Sequence, residues 1–349
     1  MRDDNGQFVR DGDDGFVLGG RVAICWNADC YGGKTASCAA MALTVGAYLW
    51  PSQAHGVALA AVVAVTAVNY RGVQKSALLT RVIVAVVLAV LSLVVVVCLS
   101  SGETDITRLN VESDATVLGV LQAAGLLFFA FAGYARIATL GEEVRDPTRT
   151  IPRAIPVALA ITLVVYTLAA IAVLTVLGSD RLAVSSAPLV DAVRAASLPG
   201  LGPVVQAGAA IAALGSLLAL VLGVSRTALA MARDHHLPNV LAAVHPRFAV
   251  PHRAELAVGA VVAVLAATVD IRGAIGFSSF GVLVYYAIAN AAAWTLSPAE
   301  GQPPRIIPIV GLAGCLILAV ALPPASVITG AAVIALGAVV YGMRRAVLK

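Results

Sequence analysis

Charge is scarce in this 349-residue chain: 12% of its residues are Asp, Glu, Lys or Arg, and the lysines are Lys34, Lys75 and Lys349 alone. A soluble domain carries about twice that share, so an ordinary globular fold is excluded. The formal net charge of +4 is too small to imply a nucleic-acid partner. Cys25, Cys30, Cys38, Cys98 and Cys315 show no zinc-type spacing, and the last two sit in apolar runs where a small hydrophobe suffices. His235, His236, His245 and His252 lie close in sequence, but no carboxylate or thiol shares a helical spacing with them, so neither a metal nor a cofactor is expected. The chain has no Gly-x-Ser-x-Gly elbow, no His-Glu-x-x-His, no phosphate loop and no dinucleotide fingerprint, and nothing points to an enzyme. Tandem repeats and low-complexity tails are missing as well.

What is present is apolar: 60% of residues are hydrophobic and the mean hydropathy is +0.93. Runs able to cross roughly 30 Å of hydrocarbon cover 78–99, 116–140, 154–178, 203–232, 255–271, 273–296, 306–322 and 325–343, and shorter runs at 37–50 and 56–69 bring the expected spans to ten. Basic residues set orientation. One side collects Arg71, Lys75 and Arg81, then Arg145, Arg149 and Arg153, then Arg233, Arg247 and Arg253, then Arg305, then Arg344, Arg345 and Lys349. The other holds Arg108, Arg181, Arg194 and Arg272. This alternation predicts a multi-pass protein of the plasma (inner) membrane with its C-terminus in the cytoplasm. The loops at 99–116 and 178–203 then face outward. Residues 1–36 are acidic and Gly-rich without helical period and read as an irregular, poorly ordered segment, leaving 37–349 as one membrane domain. No acidic residue is expected at membrane depth.

The most telling stretch is FFAFAGYARIATLGEEVRDPTRTIPRAIP, residues 128–156. An apolar segment is interrupted by Gly133 and runs into a charged hinge bounded by Pro147 and Pro152. A helix broken at membrane depth leaves peptide groups that hydrocarbon cannot satisfy, so the break belongs against protein or a water-filled cavity. Secondary transporters build solute sites this way.

Four stretches in order resemble the amino acid, polyamine and organocation (APC) permeases, bacterial branch. GEEVRDPTRTIPRAI at 141–155 is similar to the family's connection after its sixth helix, and NYRGVQKSALLTR at 69–81 to the turn into helix five. SRTALAMARDHHLPNVLAAVHPRFAVPHRAE at 225–255 is similar to the end of helix eight and the loop beyond it, and GGKTASCAAMALTVGAYLWP at 32–51 to the second part of helix three. The resemblance implies an all-α polytopic membrane protein with the inverted-repeat bundle of the leucine transporter. Aligned by these motifs the chain supplies helix three onward, so that bundle is expected to be N-terminally incomplete, without helices one and two.

By the same resemblance Phe128, Phe129, Ala130, Phe131, Ala132 and Gly133 form the unwound part of helix six, whose carbonyls accept from a substrate ammonium, with Phe129 as aromatic gate. Core packing or a lipid-facing surface is the other reading of the three phenylalanines. Ser216 on helix eight and Tyr285 on helix ten are polar groups that contact either substrate or a neighbouring helix. Arg136, Glu142, Glu143 and Arg145 form an inner gate of ion pairs, or a solvated loop whose prolines start the next helix. Some members carry a lysine midway along helix five as a proton-linked switch; here 82–99 holds no charged residue and Val87 stands about there. The functional expectation is a permease that moves amino acids or related amines by alternating access, with the lipid bilayer as its surroundings and a coupling proton as a candidate partner. The alternative is a truncated, non-transporting membrane remnant or a partner-binding membrane protein.

Overall fold

The computed structural model describes residues 19–72, 77–110, 115–133, 146–234, 237–248, 250–294 and 304–347, and among them there are helices and turns but no strands. The helices are α1 (Gly19–Leu49), α2 (Ala54–Tyr70), α3 (Ala77–Ser100), α4 (Val117–Leu127), α5 (Pro147–Val184), α6 (Pro188–Ala195), α7 (Gly202–Arg233), α8 (His252–Thr268), α9 (Ile271–Trp294), α10 (Ile306–Ala321) and α11 (Pro324–Val347). Helix covers most of the described part of each of the ten apolar runs except 116–140, where the α-helix stops at Leu127. Among the described residues five stretches are long and apolar enough to cross a bilayer unaided, 51–70, 78–100, 149–184, 199–233 and 271–294, and α10 with the first part of α11 makes a pair bent by 114°. The protein is an all-α polytopic membrane protein.

Two differences from the sequence expectation stand out. Helix α1 begins at Gly19, inside the stretch read as irregular, although its glycines and asparagine depress local propensity. Helix α6 occupies the connection 178–203, which the sequence marks only as a loop. It has eight residues, starts at Pro188 and buries Val190, Ala192 and Val193.

The chain divides into two compact units. The larger comprises 34–116 and 127–275. Its hydrophobic core joins Tyr48, Val94, Val97, Val173, Val176, Val190, Val193 and Val205, contributed by α1, α3, α5, α6 and α7. Small residues let the helices approach, as expected where lipid supplies no hydrophobic drive between them. Gly208 of α7 lies against Val90 of α3, and Gly215, two turns on, lies against Ile83, two turns back, so these helices run antiparallel. α2 and α8 are antiparallel too: a ring nitrogen of His55 is 2.7 Å from the Ala266 carbonyl, Thr66 packs on Gly259, and the Tyr70 ring meets the His252 ring edge-on at 6.2 Å.

The C-terminal end of α5 is finished by a loop. Gly178 has φ +75°, a left-handed conformation that suits glycine and breaks the helix. The Arg108 guanidinium donates to the carbonyls of Thr175 and Val176, whose helical partners the break removes, and the Asp105 amide also donates to Thr175 at 3.1 Å. Asp105 accepts from the Thr107 amide at 2.9 Å and its hydroxyl at 2.6 Å, and these bonds hold the exposed Asp105 carboxyl below the usual carboxylate range.

The smaller unit contains 117–126 and 276–349 with the chain up to Gly33. Its close approaches again use glycine: Gly125 of α4 faces Leu322 beyond α10, Gly276 of α9 faces Ser326 of α11, and Gly330 of α11 faces the Phe280 ring.

Candidate functional site

Helix α4 is VLGVLQAAGLL, a run of good helix formers that ends at Leu127. The next residues, Phe128–Phe131, are three aromatics and an alanine, and here the chain tightens into a 3-10 turn. Aromatic side chains lose rotamer freedom against a preceding α-turn, and Gly133 removes any side-chain support beyond them. The turn closes with the Ala132 amide donating to the Phe129 carbonyl at 3.3 Å. Regular α-helical bonding therefore ends one residue before the first phenylalanine, in the middle of the apolar run 116–140. A 3-10 turn has poorer hydrogen-bond geometry than the α-helix it follows, which leaves acceptor capacity on its carbonyls.

The turn is braced from α5. The Tyr166 hydroxyl reaches the Ala130 carbonyl at 3.5 Å, the long limit of a hydrogen bond. The same ring meets Phe131 edge-on with centroids 5.4 Å apart. Phe128, Phe129 and Phe131 are half-buried, whereas Ala130 and Gly133 are exposed. Because a carbonyl oxygen has two lone pairs, Ala130 can accept a second donor while Tyr166 stays in place.

Residues 16–343 match the family described as Amino acid permease. The chain belongs to the amino acid permease family. An uncharacterized transporter of Mycobacterium tuberculosis is 71% identical over 317 residues, covering 91% of this chain and 72% of that protein. Cationic amino acid transporter 7, a chloroplast protein of Arabidopsis thaliana, is 30% identical over 243 residues, covering 67% of this chain and 42% of its own length. The methylthioribose transporter of Bacillus subtilis is 26% identical over 285 residues, covering 79% and 61%. Permease family and relatives together make the protein a transporter.

On this amino acid permease the other expected site residues fall in different places. Ser216 is exposed on α7, in the larger unit with the 3-10 turn. Tyr285 belongs to the smaller unit, half-buried on α9, its ring 5.0 Å from that of Tyr286. Arg136, Glu142, Glu143 and Arg145 lie outside the described residues. The hinge resumes at Asp146, in a left-handed conformation (φ 49°), whose carbonyl accepts from the Arg149 and Thr150 amides to start α5.

Two residues of this permease went unnoticed in the sequence. Tyr166 had a readable signal, since a phenol inside the run VVYTLA must find an acceptor at such depth. Glu255 stood at the edge of a span, and no acidic group was expected deeper; it is fully buried.

Proposed function

We propose that this permease moves amino acids or related small amines across the plasma membrane by alternating access, with the turn 128–133 as the substrate-binding break. The observation that carries the reading is the end of α-helical bonding at Leu127 inside an apolar run, with the exposed Ala130 carbonyl held at bonding reach of Tyr166. A substrate ammonium is a three-donor group that fits such an acceptor, and a half-buried Phe129 beside it supplies a ring face for cation–π contact. Relatives named for cationic amino acids and for methylthioribose support a small polar organic solute. Ser216 and Tyr285 are second-rank contacts, and Arg136, Glu142, Glu143 and Arg145 are proposed as the inner gate. The basic-residue alternation supports a cytoplasmic C-terminus.

The test is uptake of radiolabelled amino acids into proteoliposomes holding the full-length chain, wild type against Phe129→Ala. Saturable uptake that Phe129→Ala weakens, with the variant still folded, supports the reading. If the wild type neither moves nor binds any amine, the substrate class is wrong. If Phe129→Ala has wild-type kinetics, the aromatic gate is elsewhere.

A further inference from the structure

Four buried side-chain polar atoms have no hydrogen-bond partner among the described residues, and three of them, Thr66 Oγ1, His252 Nδ1 and Glu255 Oε2, belong to the seam of α2 and α8. The antiparallel pairing of these helices runs through His55 with Ala266, Thr66 with Gly259 and Tyr70 with His252. That register sets Glu255 across from the 66–70 turn of α2, where Thr66 and Asn69 are buried. Asn69 turns its amide to the Leu218 carbonyl of α7 at 3.4 Å.

From α7 comes Ser225, also fully buried. Its Oγ lies 3.1 Å from the Leu222 carbonyl of its own helix and 3.4 Å from Glu255 Oε1. A hydroxyl has one proton to give. The Leu222 carbonyl and Glu255 Oε1 both accept from it and compete for that proton, so the carboxyl gains at most one long, shared bond, and its Oε2 has none among the described residues. An ionised carboxylate would present about four acceptor sites with one side-chain donor, the Ser225 hydroxyl, at hydrogen-bond distance among the described residues, and an unpaired buried charge is among the costliest groups a fold can hold.

Among the described residues no cation forms an ion pair with Glu255. The ion pairs among the described residues belong to Asp105 and Asp191. Arg226, beside Ser225 on α7, is close enough to act electrostatically on Glu255, but its side chain is exposed. Arg253 on α8 donates to the Val240 carbonyl. Among the described residues Tyr70 on α2, His252 at the start of α8 and His245, whose Nδ1 already accepts from the Arg247 and Phe248 amides, cluster at this end of the seam, and the arginines there, Arg71 after α2 and Arg233 at the end of α7, are exposed. The turn 239–242 packed against α8 has no titratable side chain.

We propose that Glu255 is a proton-binding site: it holds a proton while α2, α7 and α8 are closed around it and releases it to water when that seam parts, the carboxylate then facing Arg226. On release the O–H bond breaks, its electron pair stays on the carboxylate and the proton passes to water. The coupling role rests on the transport reading above; the proton itself does not.

The test has two arms on the full chain in lipid. Infrared difference spectra between wild type and Glu255→Gln should show the carbonyl stretch of a protonated carboxyl in the wild type at neutral pH and its loss in the variant, which keeps the side chain's shape. Superimposable spectra in that region overturn the proposal. Where Glu255→Gln fails to fold, Glu255→Asp replaces it and should displace the band; an unmoved band overturns the proposal equally. In the second arm, solute-evoked proton uptake by proteoliposomes should be lost in Glu255→Gln while exchange of labelled for unlabelled solute persists. Wild-type proton uptake by the variant overturns the coupling role. If the wild type moves no solute at all, the transport reading fails and the infrared arm still decides whether Glu255 holds a proton.

Discussion

The antiparallel seam of α3 and α7 makes a paired prediction whose size follows from two distances. A Cβ added at Gly208 would stand 2.9 Å from both Cγ1 and Cγ2 of Val90, whereas one added at Gly215 would stand 3.4 Å from Ile83. Valine in a helix keeps essentially one rotamer, so neither methyl can turn away, and either the side chain leaves its well or the helices separate. Overpacking of this kind costs about 1–3 kcal/mol. At Gly215 the neighbour needs to yield only slightly. Both substitutions share the helix-propensity gain of alanine over glycine, about 1 kcal/mol, which cancels when the two variants are compared. Gly208→Ala should therefore be less stable than Gly215→Ala by about 1–3 kcal/mol, a factor of roughly 5 to 150 in the folding equilibrium. Denaturant titration in mixed micelles, followed by helical circular dichroism, measures the difference. Adding Val90→Ala to Gly208→Ala should recover part of the loss. Equal stability of the two glycine variants, or no recovery in the double variant, would refute the packing argument.

Three further outcomes are expected. Tyr166→Phe should change solute affinity by no more than about threefold, because a 3.5 Å hydroxyl contact is worth at most roughly 0.5 kcal/mol. Tyr166→Ala also forfeits the edge-on contact with Phe131, about 0.5–1.5 kcal/mol, and should weaken binding further; an affinity series by scintillation proximity separates the two. Arg108→Ala should lower the amide protection of the C-terminal end of α5 by about 1–2 kcal/mol, the value of a charge-assisted bond to carbonyls discounted for a half-exposed side chain, as read by hydrogen exchange. Asp105 has a folded carboxyl value below its ordinary 3.8, so its bonds stabilise the loop at neutral pH and are lost as pH falls through the lowered value. Protection of the Thr107 amide should thus decline only at strongly acidic pH, and Asp105→Asn should abolish that dependence.

Hydropathy located the helices because the bilayer demands long apolar segments, and 78–99, 203–232 and 273–296 needed nothing more. The break at Phe128 was legible for a related reason: aromatics followed by Gly133 interrupt a pattern that is otherwise uniform. Helix α6 was not, since eight residues between Pro188 and Ala195 form a helix only because Val190 and Val193 find the core of α3, α5 and α7. The bonds of Arg108 to the end of α5 join residues 67 and 68 positions apart, which no local pattern announces. Glu255 was seen as a span boundary; its burial depends on Ser225 and on the register of α2 against α8, both tertiary facts.

The glycines of α7 give its contact with α3 a direction. Moved by one helical turn, about 5.4 Å, so that Val90 and Ile83 meet residues four further along, they would find Ala212 and Ala219, each a single methyl group. Moved the other way they would strike Val204 and Ile211. A methyl group set 2.9 Å from the Val90 side chain already costs about 1–3 kcal/mol, so the glycines pin the register: a one-turn slip of α7 along α3 is opposed in either sense, less by the alanines than by the branched residues.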